Sequence, residues 1–297
     1  MSTPGCADTF GRGGALGAAV VFVLGCSVQS ETFTADAESG STHALIAVER
    51  SATVDAPEAP QANALAGFVR VPATVDPGSV MNLVGLALEL PAPGQCSHAQ
   101  NGARRPPLSQ LGHVEFLDAG DVALSAAGSA TTLAPRAFPT VTDLISGVVY
   151  TTRDRSADAL PAGESYTFRT TGGFEVPSLS VEAPAPNELE AVTVGGLPLA
   201  ELTTVSTSHP LDVTWSTGDD RDLVYVELAS SSDGASTICT FRDEAGGGSV
   251  PADAFSHTGE GHFSIHRARS REFSNAGINR GELRFNFELV AAISFSD

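Results

Sequence analysis

Lysine is absent from this 297-residue chain: all 16 basic side chains are arginine, set against 35 carboxylates for a net charge of −19. A surface this negative repels phosphate backbones and anionic lipid headgroups, so composition excludes nucleic acid as an expected partner. Cysteine is scarce as well. Cys6, Cys26, Cys96 and Cys239 are the four, and no CxxC pair occurs among them, which excludes a dithiol redox motif and a zinc ribbon. Aromatics are 6% of the chain, with one tryptophan, Trp215, and three tyrosines, Tyr150, Tyr166 and Tyr225. That is a thin supply for the exposed platforms on which sandwich proteins stack sugars. The sequence also lacks a GxSxG elbow, an HExxH pair, a GxxxxGKS/T loop and a GxGxxG turn opening a helix. No enzymatic activity and no cofactor are expected from such a chain. What it has is apolar content, 42%, enough for a buried core. The arginine-only basic set, with abundant Ala, Gly and Val, points to a GC-rich coding sequence more than to a function.

The N-terminus carries an address. Residues 13–25 read GGALGAAVVFVLG without a charge, too short to span a bilayer as a helix but suited to the apolar region of a signal peptide. The run ends in VLGC at Val23 to Cys26, which resembles the lipobox of bacterial lipoproteins. That resemblance implies cleavage before Cys26, acylation of its sulphur and nitrogen, and, with Ser27 next, forwarding to the outer membrane or cell surface. A plain secretory signal, giving a periplasmic or secreted product, is the alternative. Residues 26–61 are mostly Ser, Thr, Ala, Glu, Asp and Pro without helical period and read as a flexible tether. A coil of that length reaches about 30 Å, enough to hold a domain clear of a membrane.

Beyond residue 62 the dominant signal is alternation of apolar and polar residues, the signature of half-buried strands. Val84, Leu86, Leu88 and Leu90 alternate, as do HVEFL (His113–Leu117), DVAL (Asp121–Leu124), ESYTF (Glu164–Phe168) and FEVPSLSVEA (Phe174–Ala183). APAPNE at Ala183–Glu188 reads as a boundary between a domain of residues 62–185 and one of residues 186–297. In the second half, Leu211, Val213 and Trp215 share one face, and Leu283, Phe285, Phe287, Leu289, Ala291, Ile293 and Phe295 share another. Several short strands separated by turn residues predict an all-β chain of two antiparallel β-sandwich domains. The VTW at Val213–Trp215, VYVEL at Val224–Leu228, VPADAF at Val250–Phe255 and HFSIHRAR at His262–Arg269 resemble the strand order of immunoglobulin and fibronectin type III sandwiches. His262 stands where those modules carry a corner tyrosine. The whole order of lipobox, tether, LDAGDVAL and CTFRDE is similar to two-domain surface lipoproteins of GC-rich Gram-negative bacteria, a resemblance that implies no particular activity.

Three groups of residues invite chemistry. His262 and His266 fall on one strand face, and His257 lies in the loop before them, a set that could hold zinc or copper. Asp219, Asp220 and Asp222 crowd a loop between strands, as calcium ligands do, and Asp118 and Asp121 bracket a turn. The same aspartates also suit turns through their own backbone hydrogen bonds. Cys96 and Cys239 fall in different expected domains and are read as two unpaired thiols, although export makes a disulfide conceivable. The function expected is a membrane-anchored extracytoplasmic binding or structural module with a protein or glycan partner; a loop-based hydrolase and a metal-handling lipoprotein using His257, His262 and His266 are the rivals. Replacing Cys26→Ala should abolish lipid labelling and release the chain from membranes. Labelling that survives the substitution contradicts the lipobox.

Overall fold

Alternation becomes strand through most of the chain. The computed structural model describes residues 40–73, 75–83, 88–99, 114–141, 145–152, 160–255 and 257–297. The expected signal peptide and Cys26 lie outside the described residues. The strands are β1 (Ser41–Thr53), β2 (Ala56–Val71), β3 (Cys96–Ala99), β4 (Val114–Phe116), β5 (Val122–Ala126), β6 (Ser129–Val141), β7 (Ile145–Thr151), β8 (Ser165–Thr170) and β9 (Leu179–Pro184). They continue as β10 (Thr193–Val194), β11 (Leu197–Pro198), β12 (Thr204–Ser206), β13 (Leu211–Thr214), β14 (Leu223–Ser230), β15 (Ser236–Arg242), β16 (Gly247–Val250), β17 (Gly259–Asn275) and β18 (Ile278–Ser296). Among the described residues one short α-helix, α1 (Pro77–Leu83), interrupts them. The chain is all-β.

The large sheet runs β3-β15-β14-β17-β18-β1-β2-β4-β7-β6-β5-β8-β9, and a smaller one runs β11-β10-β13-β16. Three expectations need correcting here. Residues 41–61, read as part of the tether, are β1 and the first six residues of β2, at the centre of the large sheet. Not every pairing is antiparallel: β1 and β12 run parallel to β18, and β4 runs parallel to β7. Of the Val84–Leu90 alternation, residues 84–87 lie outside the described residues and 88–90 are not strand. Residues Glu38–Asp297 form one compact unit.

Two cores line one face of the large sheet, and β18 runs through both. Its odd-numbered residues from Leu283 to Phe295 point inward, as period two requires. Leu283, Phe285 and Phe287 pack with Ile46, Val48, Phe68, Leu124, Tyr166 and Phe168, so the first core is completed by the end of the chain. Ala291, Ile293 and Phe295 pack with Trp215, Val224, Val226, Phe263 and Ile265 in the second. Trp215 is thus a core residue, and its indole N–H donates to Asp243 O at 3.1 Å. Burying a side chain of this kind stabilises by roughly 1.5–3 kcal/mol each.

Between the cores, β17 turns arginines inward. Arg267 is 1% exposed and shares the parity of Phe263 and Ile265. Its guanidinium donates to Glu188 O (2.8 Å), Ser216 O (2.5 Å) and the fully buried Asp243 Oδ1 (2.9 Å). Gly218 is required here, because a Cβ would strike Asp243 Oδ2 and crowd the Arg267 guanidinium. Arg269 clasps Asp222 through two bonds of 2.5 and 2.8 Å and reaches Pro184 O and Ala185 O, while Arg271 donates to Glu182 O. From β1, Arg50 donates to Leu160 O and Glu188, with its guanidinium 5.6 Å over the Phe287 ring. Removing one partner of a buried ion pair strands the other charge. Asp243→Ala should therefore cost about 3–5 kcal/mol in denaturant unfolding. Asp219→Ala, which breaks the pair with the exposed Arg221, should cost less than about 1 kcal/mol. Equal losses would contradict the assignment of Asp243 as the anchor.

Candidate functional site

The predicted metal ligands do not come together. His262 is exposed and sits opposite Ala229 and Ala292, while His266 is buried opposite Tyr225 and Glu288. Four residues along a strand separate the two by roughly 13 Å, too far for one ion. His257 Nδ1 lies 3.2 Å from Asp233. Among the described residues no group of three His, Cys, Asp or Glu is placed to hold a metal. In the aspartate loop the partners are arginines: Asp219 accepts from Arg221 Nε at 2.7 Å, and Asp222 is taken by Arg269. Asp219 is accordingly held well below the usual carboxylate range, first by the Arg221 side chain and then by its backbone N–H. Asp220 lies between them in the turn. Asp118 is also a turn residue, accepting from Gly120 N and the Tyr150 hydroxyl, both at 2.8 Å.

Cys96 and Cys239 are bonded, not free. They lie directly opposite each other where β3 pairs β15. The expected domain separation hid this, because β3 belongs to the first half of the chain yet joins a sheet edge built by the second.

A surface with room for a ligand is the other face of the large sheet. The connection from β2 to β3 runs over it: Val80 and Met81 of α1 pack on Leu45, Val69 and Val71, and Gly94 N donates to Thr240 O at 2.7 Å. Two grooves open on this face. The upper, of about 340 Å³, includes His43, Asp76, Glu89, Arg280, Glu282 and Arg284 in its lining. His43 Nε2 is 2.7 Å from Ser41 Oγ, but the Asp76 carboxylate is held by Ser79 N (2.9 Å) and Oγ (3.1 Å). No Ser-His-Asp relay is thereby formed. Burial, helped by the Arg280 charge, pushes the His43 imidazole below its ordinary value and favours the neutral ring.

The lower groove, of about 360 Å³, is bordered by Glu49, Ser51, Gln61, Asn63, Asn286 and Glu288. Strand register makes it a continuous row, with Tyr225, His266, Glu288, Ser51 and Gln61 paired in turn across five strands. Tyr225 stacks on His266 with ring centroids 4.1 Å apart and donates its hydroxyl to Asn286 Oδ1 at 3.1 Å. His266 Nε2 pairs with Ser264 Oγ at 2.9 Å and lies 3.6 Å from Glu288. Asn63 is fixed by two hydroxyls, Thr151 and Thr152, at 3.1 and 2.9 Å. Burial raises Glu288 above the usual carboxylate range, with the like charges of Glu227 and Glu49 adding to it and a Ser51 hydrogen bond opposing. The Ser264–His266 pair is buried, and the amides and carboxylates that border the groove suit hydrogen bonding to a neutral or cationic ligand. Neither groove was legible in sequence as a site, since each draws on strands distant in the chain. The outward parity of Glu282, Arg284, Asn286 and Glu288 was the available signal.

No family model and no curated protein sequence matches this chain. Among solved structures, it is similar to the Fcho1 Mu homology domain of Danio rerio with bound Eps15 peptide, at 9% identity and a TM-score of 0.26, covering 87% of this chain and 97% of that one. A likeness this slight carries no functional weight.

His266 gives the face a measurable signature. Burial lowers its pKa from 6.5 to about 3, so the unfolded chain takes up a proton that the folded one refuses. Below pH 6.5 the unfolded state binds more protons, and stability falls as pH drops toward 3. Between pH 7 and pH 4 the protein should lose about 3 kcal/mol more unfolding free energy than a His266→Gln variant. Parallel curves for the two would contradict the burial.

Proposed function

We propose that the chain is an exported, lipid-anchored surface protein, held at Cys26, that binds a neutral or cationic hydrogen-bonding partner on the open face of its large sheet. The observation that carries the export is the Cys96–Cys239 bond. Disulfides persist in oxidising compartments and are rare in a reducing cytosol. The apolar run and VLGC ahead of Cys26 supply the route and the anchor. On this reading the architecture is two sandwich halves of immunoglobulin or fibronectin type III kind, fused through β17 and β18, and function is left to grooves and loops.

The binding reading rests on the lower groove. Its carboxylates favour a cationic or neutral partner, such as a protein segment or a glycan, over an anionic one. The four Trp and Tyr side chains are buried, so a glycan would be held by amide and carboxylate hydrogen bonds, not by stacking. The protein isolated from its native envelope should yield an unreduced Cys96–Cys239 peptide and an acylated Cys26. On an array of glycans and basic peptides, Glu49→Gln with Asn63→Ala should weaken binding about tenfold, and salt should weaken it further if the contact is ionic. Free thiols in the envelope preparation would contradict export, and binding unmoved by the double substitution would contradict the groove.

A further inference from the structure

The upper groove has chemistry of its own. Both signs of charge line it: Arg280 and Arg284 come from β18, while Asp76, Glu89 and Glu282 come from three separate stretches. Leu45, Met81 and Leu88 add an apolar wall. Arg284 is 8% exposed, so one cation is set deep while Arg280, paired with Glu272, is at the surface. A purely anionic ligand would meet three carboxylates there, and a purely cationic one would meet two guanidinium groups. A ligand carrying both charges can bond to both sets beside their present partners, Ser79 on Asp76, Glu272 on Arg280 and Ser270 on Glu282, with guanidinium suited to phosphate oxygens and carboxylate to an ammonium. The volume, about 340 Å³, lies in the range of small-molecule sites.

Position narrows the ligand. His43 is the third residue of β1 and pairs across with Arg280, so the groove lies where the described chain begins. On the lipid-anchor reading, which this inference rests on, about 15 residues separate Cys26 from Ser41. A coil of that length reaches about 20 Å, and a fully extended one about 50 Å. We infer that the upper groove takes a zwitterionic phosphate–ammonium head carried on an apolar body, the chemistry of a phosphatidylethanolamine lipid in the membrane that holds the anchor. A zwitterionic head also escapes the repulsion that a chain of net charge −19 exerts on anionic lipids.

The test uses the full-length Cys26→Ala chain, so lipid labelling of the parent at Cys26 judges the anchor separately. Titration with glycerophosphoethanolamine should saturate, with phosphate alone and ethanolamine alone each at least about tenfold weaker. Glu282→Gln and Arg284→Gln should each lose about tenfold, while Glu49→Gln in the lower groove should bind as the parent does. If Arg284→Gln lowers the melting temperature, Glu282→Gln, at a half-buried surface position, decides. Vesicles containing phosphatidylethanolamine should float the protein, and vesicles of phosphatidylglycerol alone should not. No saturable binding, phosphate binding as tightly as the zwitterion, or an equal loss in Glu49→Gln would overturn the site. Binding of the soluble head without flotation would overturn the lipid as its source.

Discussion

The structure turns on a set of backbone carbonyls that no strand satisfies. Where the chain leaves β9 and crosses to the second core, Glu182, Pro184, Ala185, Asn187 and Glu188 present carbonyl oxygens to β17, and its arginines take them, in part-buried bonds at Ala185, Asn187 and Glu188 and exposed ones at Glu182 and Pro184. A carbonyl shielded from water without a donor costs free energy comparable to a lost hydrogen bond, so the part-buried carbonyls of Ala185, Asn187 and Glu188 gain most from these donors. Arginine meets the need in a way lysine could not. Its planar fork carries five donors, and Arg267 uses the four on its two terminal nitrogens for three carbonyls and a carboxylate at once. Burial of that charge is tolerable because Asp243 lies in the same interior, just as Asp222 and Glu188 answer Arg269 and Arg50.

That closure explains why the halves share strands. The first core lacks an inner wall until Leu283, Phe285 and Phe287 arrive, and the same strand continues into the second core through Ala291, Ile293 and Phe295. A two-residue turn at Ala276 and Gly277, with Gly277 at a φ of 79°, lets β17 return beside β18 along its length. The disulfide then fastens β3 to the far edge, where a four-residue strand has few ladder bonds of its own. With one sheet face spent on two cores, polar side chains of the other face are what remains for recognition.

Much of this was legible in the sequence, and the failures have causes. The long C-terminal strand and Trp215 followed from parity, because one face of each is uniformly apolar. β1 and β2 were missed because their inward residues are largely alanine, as at Ala62, Ala64 and Ala66, which bury fully yet read as weak strand formers. The inward arginines were there to be read in HFSIHRAR, because Arg267 and Arg269 continue the parity of Phe263 and Ile265. The disulfide was hidden by the assumption that a boundary in sequence is a boundary in space. The grooves depend on register between strands more than 200 residues apart, such as Ser51 beside Glu288, which no local pattern encodes.

If the arginine cluster and the shared β17–β18 pair join the cores, the two cannot unfold separately. Scanning calorimetry of the oxidised protein tests this most directly. The account predicts one transition whose calorimetric enthalpy equals its van't Hoff enthalpy. Two resolved transitions, one leaving the Trp215 environment intact while the other melts, would contradict it.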